Sequence, residues 1–114
     1  CGLTRDPQFG PCVMFGLGGV LTEALADAVF RVAPLSRFDA LEMLQEIRAV
    51  KLLGAFRGQA PADLDALAGI LIALGEIGLG HPTIREIDLN PVKIRPDGAP
   101  VVVDALIALV PPRG

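Results

Sequence analysis

Apolar and polar positions along the chain sort into blocks with two different periods. The stretch "PCVMFGLGG", residues 11 to 19, is a short apolar run closed by glycines, and it predicts a buried strand over Cys12–Phe15. "TEALAD", residues 22 to 27, predicts a short helix with Thr22 as its cap and Glu23 in its first turn. In "AVFRVAPL" the residues Val29, Phe30 and Val32 favour a second strand that closes at Pro34. "SRFDALEMLQEIRAV" changes to the helical period: Ser36 and Asp39 form a capping-box-like start, and Leu41, Leu44 and Ile47 recur on one face.

The longest predicted helix is "PADLDALAGILIALGEIGLG". Pro61 suits its first position, Asp63 and Asp65 sit at its positive end, and "GHPT" stops it. Leu64, Leu67, Leu71 and Leu74 make its main stripe, broadened by Ile70 and Ile77. Gly69, Gly75 and Gly78 each cost roughly 1 kcal/mol against Ala in a helix interior. Close packing on a sheet is the expected compensation. His81, in "GHPT", is expected to be an exposed or capping loop residue.

The segment "REIDLNPVKIRPDGAPVVVD", residues 85 to 104, alternates again, with Glu86, Asp88 and Asn90 on one face and Ile87 and Leu89 on the other. Its turn is "RPDG". Pro96 suits the second position of a type I turn, Asp97 the third, and Gly98 the left-handed position that follows. A three-residue loop makes Ile94 face Pro100, Val92 face Val102, and Asn90 face Asp104. A two-residue Asp97-Gly98 loop would shift the register by one and send Asn90 and Asp104 to opposite faces. The place of Pro96 favours the first. Ile87, Leu89, Val103, Ala105 and Ile107 are then expected to pack on the helices.

These elements predict an α+β domain: a mainly antiparallel four-stranded sheet with helices packed on one face. The 114 residues are expected to form a single domain, with residues 1 to 10 a lead-in loop and residues 108 to 114 a tail. The chain does not begin with Met and reads as a piece of something longer.

Composition narrows the function classes. Hydrophobic residues are 52% and charged residues 20% of the chain, and mean hydropathy is +0.54. Charges interrupt every apolar stretch before the ~18 residues a spanning helix needs, so no membrane partner is expected. The net charge is −3 and no basic stripe occurs, which argues against nucleic acid. Cys1 and Cys12 are the only cysteines; they fit neither a disulfide framework nor a Cys/His metal site. No signal-peptide pattern is visible, so the expected location is cytoplasmic.

The candidate chemistry lies on the acidic strand face. Directly opposed residues of a hairpin have Cβ atoms about 4.5–5.5 Å apart, so an amide oxygen and a carboxylate at Asn90 and Asp104 can share one small hard cation. Mg²⁺ takes oxygen ligands, keeps several waters, and is usually held by one or two carboxylates plus substrate phosphates. A plain solvated strand face is the competing explanation of the same pattern.

"DPQFGPCVMFGLGGVLTEALADAVFRVAPL", followed by "EIDLNPVKI" and "VVVDALI", resembles the C-terminal half of the ATP-grasp domain of ADP-forming acyl-CoA synthetases, a group that includes acetyltransferase-fused proteins. The resemblance runs from about residue 5 to residue 107. It implies ATP and Mg²⁺ as cofactors, with an acyl group reaching coenzyme A through an acyl-phosphate and a phosphohistidine in another domain. It further implies Asn90 and Asp104 as metal ligands and Asp88 beside the transferring phosphate, where the family often has Glu. Gly18, Gly19 and Glu23 match its glycine-rich turn. The implied partners are the preceding half of the ATP-grasp domain, which carries the phosphate-binding lysines, and the CoA-binding and phosphohistidine domains. Lys51 and Lys93, the only lysines, match no such motif. The chain alone is therefore expected to hold half a site and to be inactive, with exposed apolar surface that favours a homodimer. Two alternatives share the motif: a regulatory or scaffolding module of an acetyltransferase fusion, and another thiokinase β chain specific for succinate or malate.

Overall fold

The computed structural model describes residues 1–16, 28–46 and 62–111. Among them are three strands, β1 (Gly2–Asp6), β2 (Gly10–Gly16) and β3 (Ala28–Val32), and two helices, α1 (Arg37–Glu46) and α2 (Leu64–Gly80). Four more strands follow: β4 (Ile84–Leu89), β5 (Val92–Ile94), β6 (Pro100–Val102) and β7 (Ala105–Leu109). The class is α+β, as expected. The main sheet, however, has five strands in the order β3-β2-β1-β4-β7, all antiparallel, and β5 and β6 form a separate two-stranded ribbon.

The additional strand is β1, in the stretch expected to be a lead-in loop, and it lies at the centre of the sheet. Only Leu3 and Gly2 of its five residues are buried, so it carries almost no hydrophobic run to detect. Its hairpin to β2 is closed by local chemistry. The Asp6 carboxylate accepts from the N–H groups of Gln8 (2.8 Å) and Phe9 (2.9 Å), and Gly10 takes φ +82°. Arg5 then ties β1 to the far end of α2. Its Nε donates to the Ile84 carbonyl (2.6 Å), and Nη2 donates to those of Gly78 and His81 (both 2.8 Å). A cation thus meets carbonyls at and just beyond the negative end of the helix, of which that of His81 also accepts from the Ile84 N–H. The expected tail also starts too early: Ala108 and Leu109 belong to β7, paired with Glu86 and Ile84.

The α1 start follows the expected capping box: the Asp39 N–H donates to Ser36 Oγ, and the Ser36 N–H to Asp39 Oδ2, each at 3.0 Å. The Ser36 N–H, and then its hydroxyl, hold the Asp39 carboxyl below the usual aspartate range. Arg31 of β3 pairs with Glu42 and Glu46, one turn apart on α1, fixing that helix to the sheet edge. α2 begins later than Pro61 suggested. Asp63 is its N-cap and accepts from the Ala66 N–H, while His81 caps the other end.

The core joins Leu3, Val13, Phe15 and Ile87 of the sheet to Met43 and Leu44 of α1 and Leu67, Leu71 and Leu74 of α2. Leu64 and Ile70 are only half-buried, and Ile77 is exposed. The sheet-facing side of α2 is instead completed by Gly75 and Gly78. A Cβ at Gly78 would lie 2.9 Å from both Leu3 methyl carbons and 3.0 Å from Pro11 Cβ, whereas one at Gly69 would meet nothing within 4 Å. Close packing thus accounts for Gly75 and Gly78 but not for Gly69. Gly78→Ala is expected to overpack the β1–β2 floor and destabilise by up to about 1–3 kcal/mol. Gly69→Ala should stabilise by up to about 1 kcal/mol through helix propensity. Urea unfolding of the two variants checks this; effects of the same sign would contradict the packing described.

Candidate functional site

Register pairs Ile87 with Ile107, Asp88 with Leu106 and Leu89 with Ala105, then Val92 with Val102 and Ile94 with Pro100. From Glu86 to Ala108 the hairpin therefore keeps the register expected from a three-residue loop, which shifts by one residue only at its far end, between Ile84 and Glu86. Its tip is set by Gly98 at φ +95°, whose N–H donates to the Arg95 carbonyl (2.8 Å), and by the Arg95 N–H donating to that of Ala99 (2.8 Å). The Asp63 N–H donates to the Gly98 carbonyl at 2.8 Å, anchoring the tip on the α2 N-terminus.

Midway, the Asn90 N–H donates to the Asp104 carbonyl (3.1 Å), and the Val103 N–H to the Pro91 carbonyl (3.0 Å). In a regular antiparallel ladder bonded pairs alternate with unbonded ones. Two consecutive bonded pairs break the alternation, and the ladder turns there into a second ribbon. Pro91, joined to Asn90 by a cis peptide bond, has no N–H to continue it. The expected opposition of Asn90 and Asp104 is present, with both residues exposed. Asp104 Oδ1 accepts from the Ala105 N–H at 2.9 Å, which orients the carboxylate.

Asp88 lies two residues before Asn90, on the sheet face turned away from the helices. It is flanked by Gly2 on β1 and Leu106 on β7. With Glu86, Thr4 and Met14 these residues line an open cavity of ≈ 250 Å³. The opposite side of the hairpin corrects one expectation. Ile87 is buried and Leu89 half-buried, but Ala105 and Ile107 on β7, and Val103 just before it, are exposed, because β7 is the sheet edge and neither described helix packs against it. Gly18, Gly19, Glu23, the helix expected over residues 22 to 27, and Lys51 lie outside the described residues. His81 is the exposed cap of α2.

No cluster of three or more His, Cys, Asp or Glu side chains capable of holding a metal occurs among the described residues. Asn90 and Asp104 offer an amide and a carboxylate oxygen, both accessible. Such a set suits a hard cation that keeps waters and takes its remaining ligands from phosphate. It does not suit a closed, all-protein cage. Gly2, Thr4 and Met14 were not foreseen as site residues; the signal that would have found them is the turn in "DPQFG", which folds β1 back beside β2.

Comparison with known proteins gives a consistent answer. A family model described as an ATP-grasp domain matches residues 1–109. The chain is 51% identical over 108 residues to the β subunit of acetate–CoA ligase [ADP-forming] I of Pyrococcus furiosus, covering 95% of this chain and 46% of that one. It is 50% identical over 101 residues to acetate–CoA ligase [ADP-forming] I of Archaeoglobus fulgidus, covering 89% of this chain and 15% of that protein. Among solved structures it superimposes on the dinucleotide forming acetyl-coenzyme A synthetase 1 of Ca. Korarchaeum cryptofilum with TM-score 0.87 and 55% identity, over 96% of this chain and 51% of that one. The same enzyme is solved with coenzyme A and Mg-AMPPCP, its phosphohistidine segment pointing towards the nucleotide binding site (TM-score 0.86). The chain thus spans about half the length of that β subunit and of that solved chain, and a smaller part of the A. fulgidus protein.

Proposed function

This chain belongs to the ATP-grasp family, in the branch of the ADP-forming acyl-CoA synthetases, and from that premise we propose that it contributes the metal-holding half of a nucleotide site for ATP-dependent acyl-CoA formation. The observation that carries the reading is the opposition of Asn90 and Asp104, bonded through their backbones where the β4–β7 pairing passes into the β5–β6 ribbon. Of two exposed polar side chains on a strand, the ordinary use is solvation. What favours ligation is that one is an amide and the other a carboxylate, placed opposite each other by the register that the three-residue turn sets.

In this reading Asn90 and Asp104 hold Mg²⁺ on the phosphates of ATP. Bound there, Mg²⁺ would neutralise charge on the phosphate oxygens as the γ-phosphoryl leaves. Asp104 contributes the anionic ligand, its orientation fixed by the Ala105 N–H. Asn90 contributes a neutral one, which keeps the pair from repelling the phosphates it faces. Asp88, further along β4, faces the group that exchanges the phosphoryl. The phosphate-binding lysines, the phosphohistidine and the CoA site come from the parts of the relatives that this chain does not span, and the acyl acid is set there as well.

Calorimetry tests the division of labour. Mg-ATP is expected to bind a chain extended to the relatives' length and to show little or no heat with residues 1–114 alone. Absence of binding in both would overturn the proposal.

A further inference from the structure

Gly2 sits on the open sheet face, between Met14 on β2 and Asp88 on β4. A Cβ built on it would lie 2.9 Å from the Ile87 carbonyl oxygen and 3.4 Å from Met14 Cε. The first contact is with backbone, so a larger residue could not be accommodated by a side-chain rotation. Gly2 has φ outside the left-handed region, so backbone conformation does not require glycine here. The requirement is steric. The same residue lines the ≈ 250 Å³ cavity into which Asp88 opens, with Leu106 on the other side of that carboxylate. That volume is below the roughly 300–1,000 Å³ of sites that enclose a whole small molecule. It admits one group of a larger ligand. Its polar lining of Asp88, Glu86 and Thr4 contains acceptors, and Met14 and Leu106 supply an apolar wall. The group that fits is compact, donates hydrogen bonds and has an apolar edge.

We propose that Gly2 is a positioning residue for Asp88: its missing side chain holds β1 and β4 at the spacing that aims this carboxylate and leaves the cavity open for the group that exchanges the phosphoryl. The inference rests on the reading of Asp88 given above. It separates two functions of the site, since Asn90 and Asp104 lie beyond the cavity and hold the nucleotide without it.

The test uses the full-length protein carrying this sequence, with [γ-³²P]ATP and Mg²⁺, following the rate of phosphoryl incorporation into protein together with Mg-ATP affinity and Tm. Gly2→Ala is expected to slow incorporation roughly 10–100-fold while Mg-ATP affinity stays within about threefold. Leu106→Trp, which fills the cavity from the exposed edge strand and leaves the β1 backbone alone, should do the same at unchanged Tm. It keeps the test decisive if Gly2→Ala fails to fold. Asp88→Asn separates the two levels. If the wild type is not labelled, or Asp88→Asn labels at the wild-type rate, the underlying reading fails. If Asp88→Asn is slow but Leu106→Trp is as fast as wild type, the role given to Gly2 is overturned. Equal losses of affinity and rate would reduce Gly2 to a structural glycine.

Discussion

Asp104→Asn in the full-length protein is expected to reduce ATP turnover on the order of 10²–10³-fold, with little change in Tm. The substitution removes the anionic member of the proposed Asn90–Asp104 pair. A metal's electrostatic contribution to phosphoryl transfer is worth several kcal/mol, and each ~1.4 kcal/mol is tenfold in rate. Stability should survive because the side chain is exposed and the bond from the Ala105 N–H goes to Oδ1, an acceptor that Asn retains. Steady-state turnover at varied Mg²⁺, with thermal unfolding as control, reads both quantities. Partial recovery at high Mg²⁺ would fit weakened ligation, whereas unchanged turnover would remove Asp104 from the site.

The second large effect concerns a residue far from that face. Arg5→Ala is expected to destabilise the fold by roughly 2–4 kcal/mol, because hydrogen bonds to charged groups contribute about 1.5–3 kcal/mol each when their partners are left unpaired. Three carbonyls would lose the Arg5 donor: Gly78 and His81 at the end of α2, and Ile84 at the start of β4, of which that of His81 keeps the Ile84 N–H. Arg5→Lys should recover only part, since one ammonium cannot reproduce a fork that spans three acceptors. Urea denaturation with a common m-value measures the difference. A change below about 0.5 kcal/mol, the range of ordinary surface substitutions, would show that water replaces Arg5 at no cost.

The contrast between these two residues explains what was legible in the sequence. The hairpin carrying Asn90 and Asp104 was readable because its register is set locally: Pro96, Asp97 and Gly98 favour one loop geometry, and the pairs from Ile94–Pro100 down to Glu86–Ala108 follow from it. The Ser36–Asp39 box was readable for the same reason. β1 was not, because what holds it is distant in sequence. Leu3 packs beneath Gly78, and Arg5 finds its acceptors 73 to 79 residues away. One local signal was nevertheless present. "DPQFG" is a proline-and-glycine turn of the same kind as "RPDG": Asp6 pairs with Gly10, at positive φ, around a three-residue loop, and reading it as a turn would have placed a strand before it. The start of α2 illustrates the competition between two caps: proline at a first helical position is a plausible start, but Asp63 satisfies the Ala66 N–H directly and defines the end. The exposure of Ile107 and Val103 could not be read from alternation at all, since the pattern marks a face and not whether anything covers it.

The pairing of Asn90 with Asp104 as a metal site is best tested by paramagnetic broadening. Mn²⁺ stands in for Mg²⁺ and is added in substoichiometric amounts to the ¹⁵N-labelled protein while its amide signals are followed. Selective loss of the Asn90, Asp104 and Ala105 signals, reversed by excess Mg²⁺ and absent in Asp104→Asn, is the result expected. Broadening centred on other carboxylates, such as Asp97 at the hairpin tip, with Asn90 and Asp104 left sharp, would contradict it.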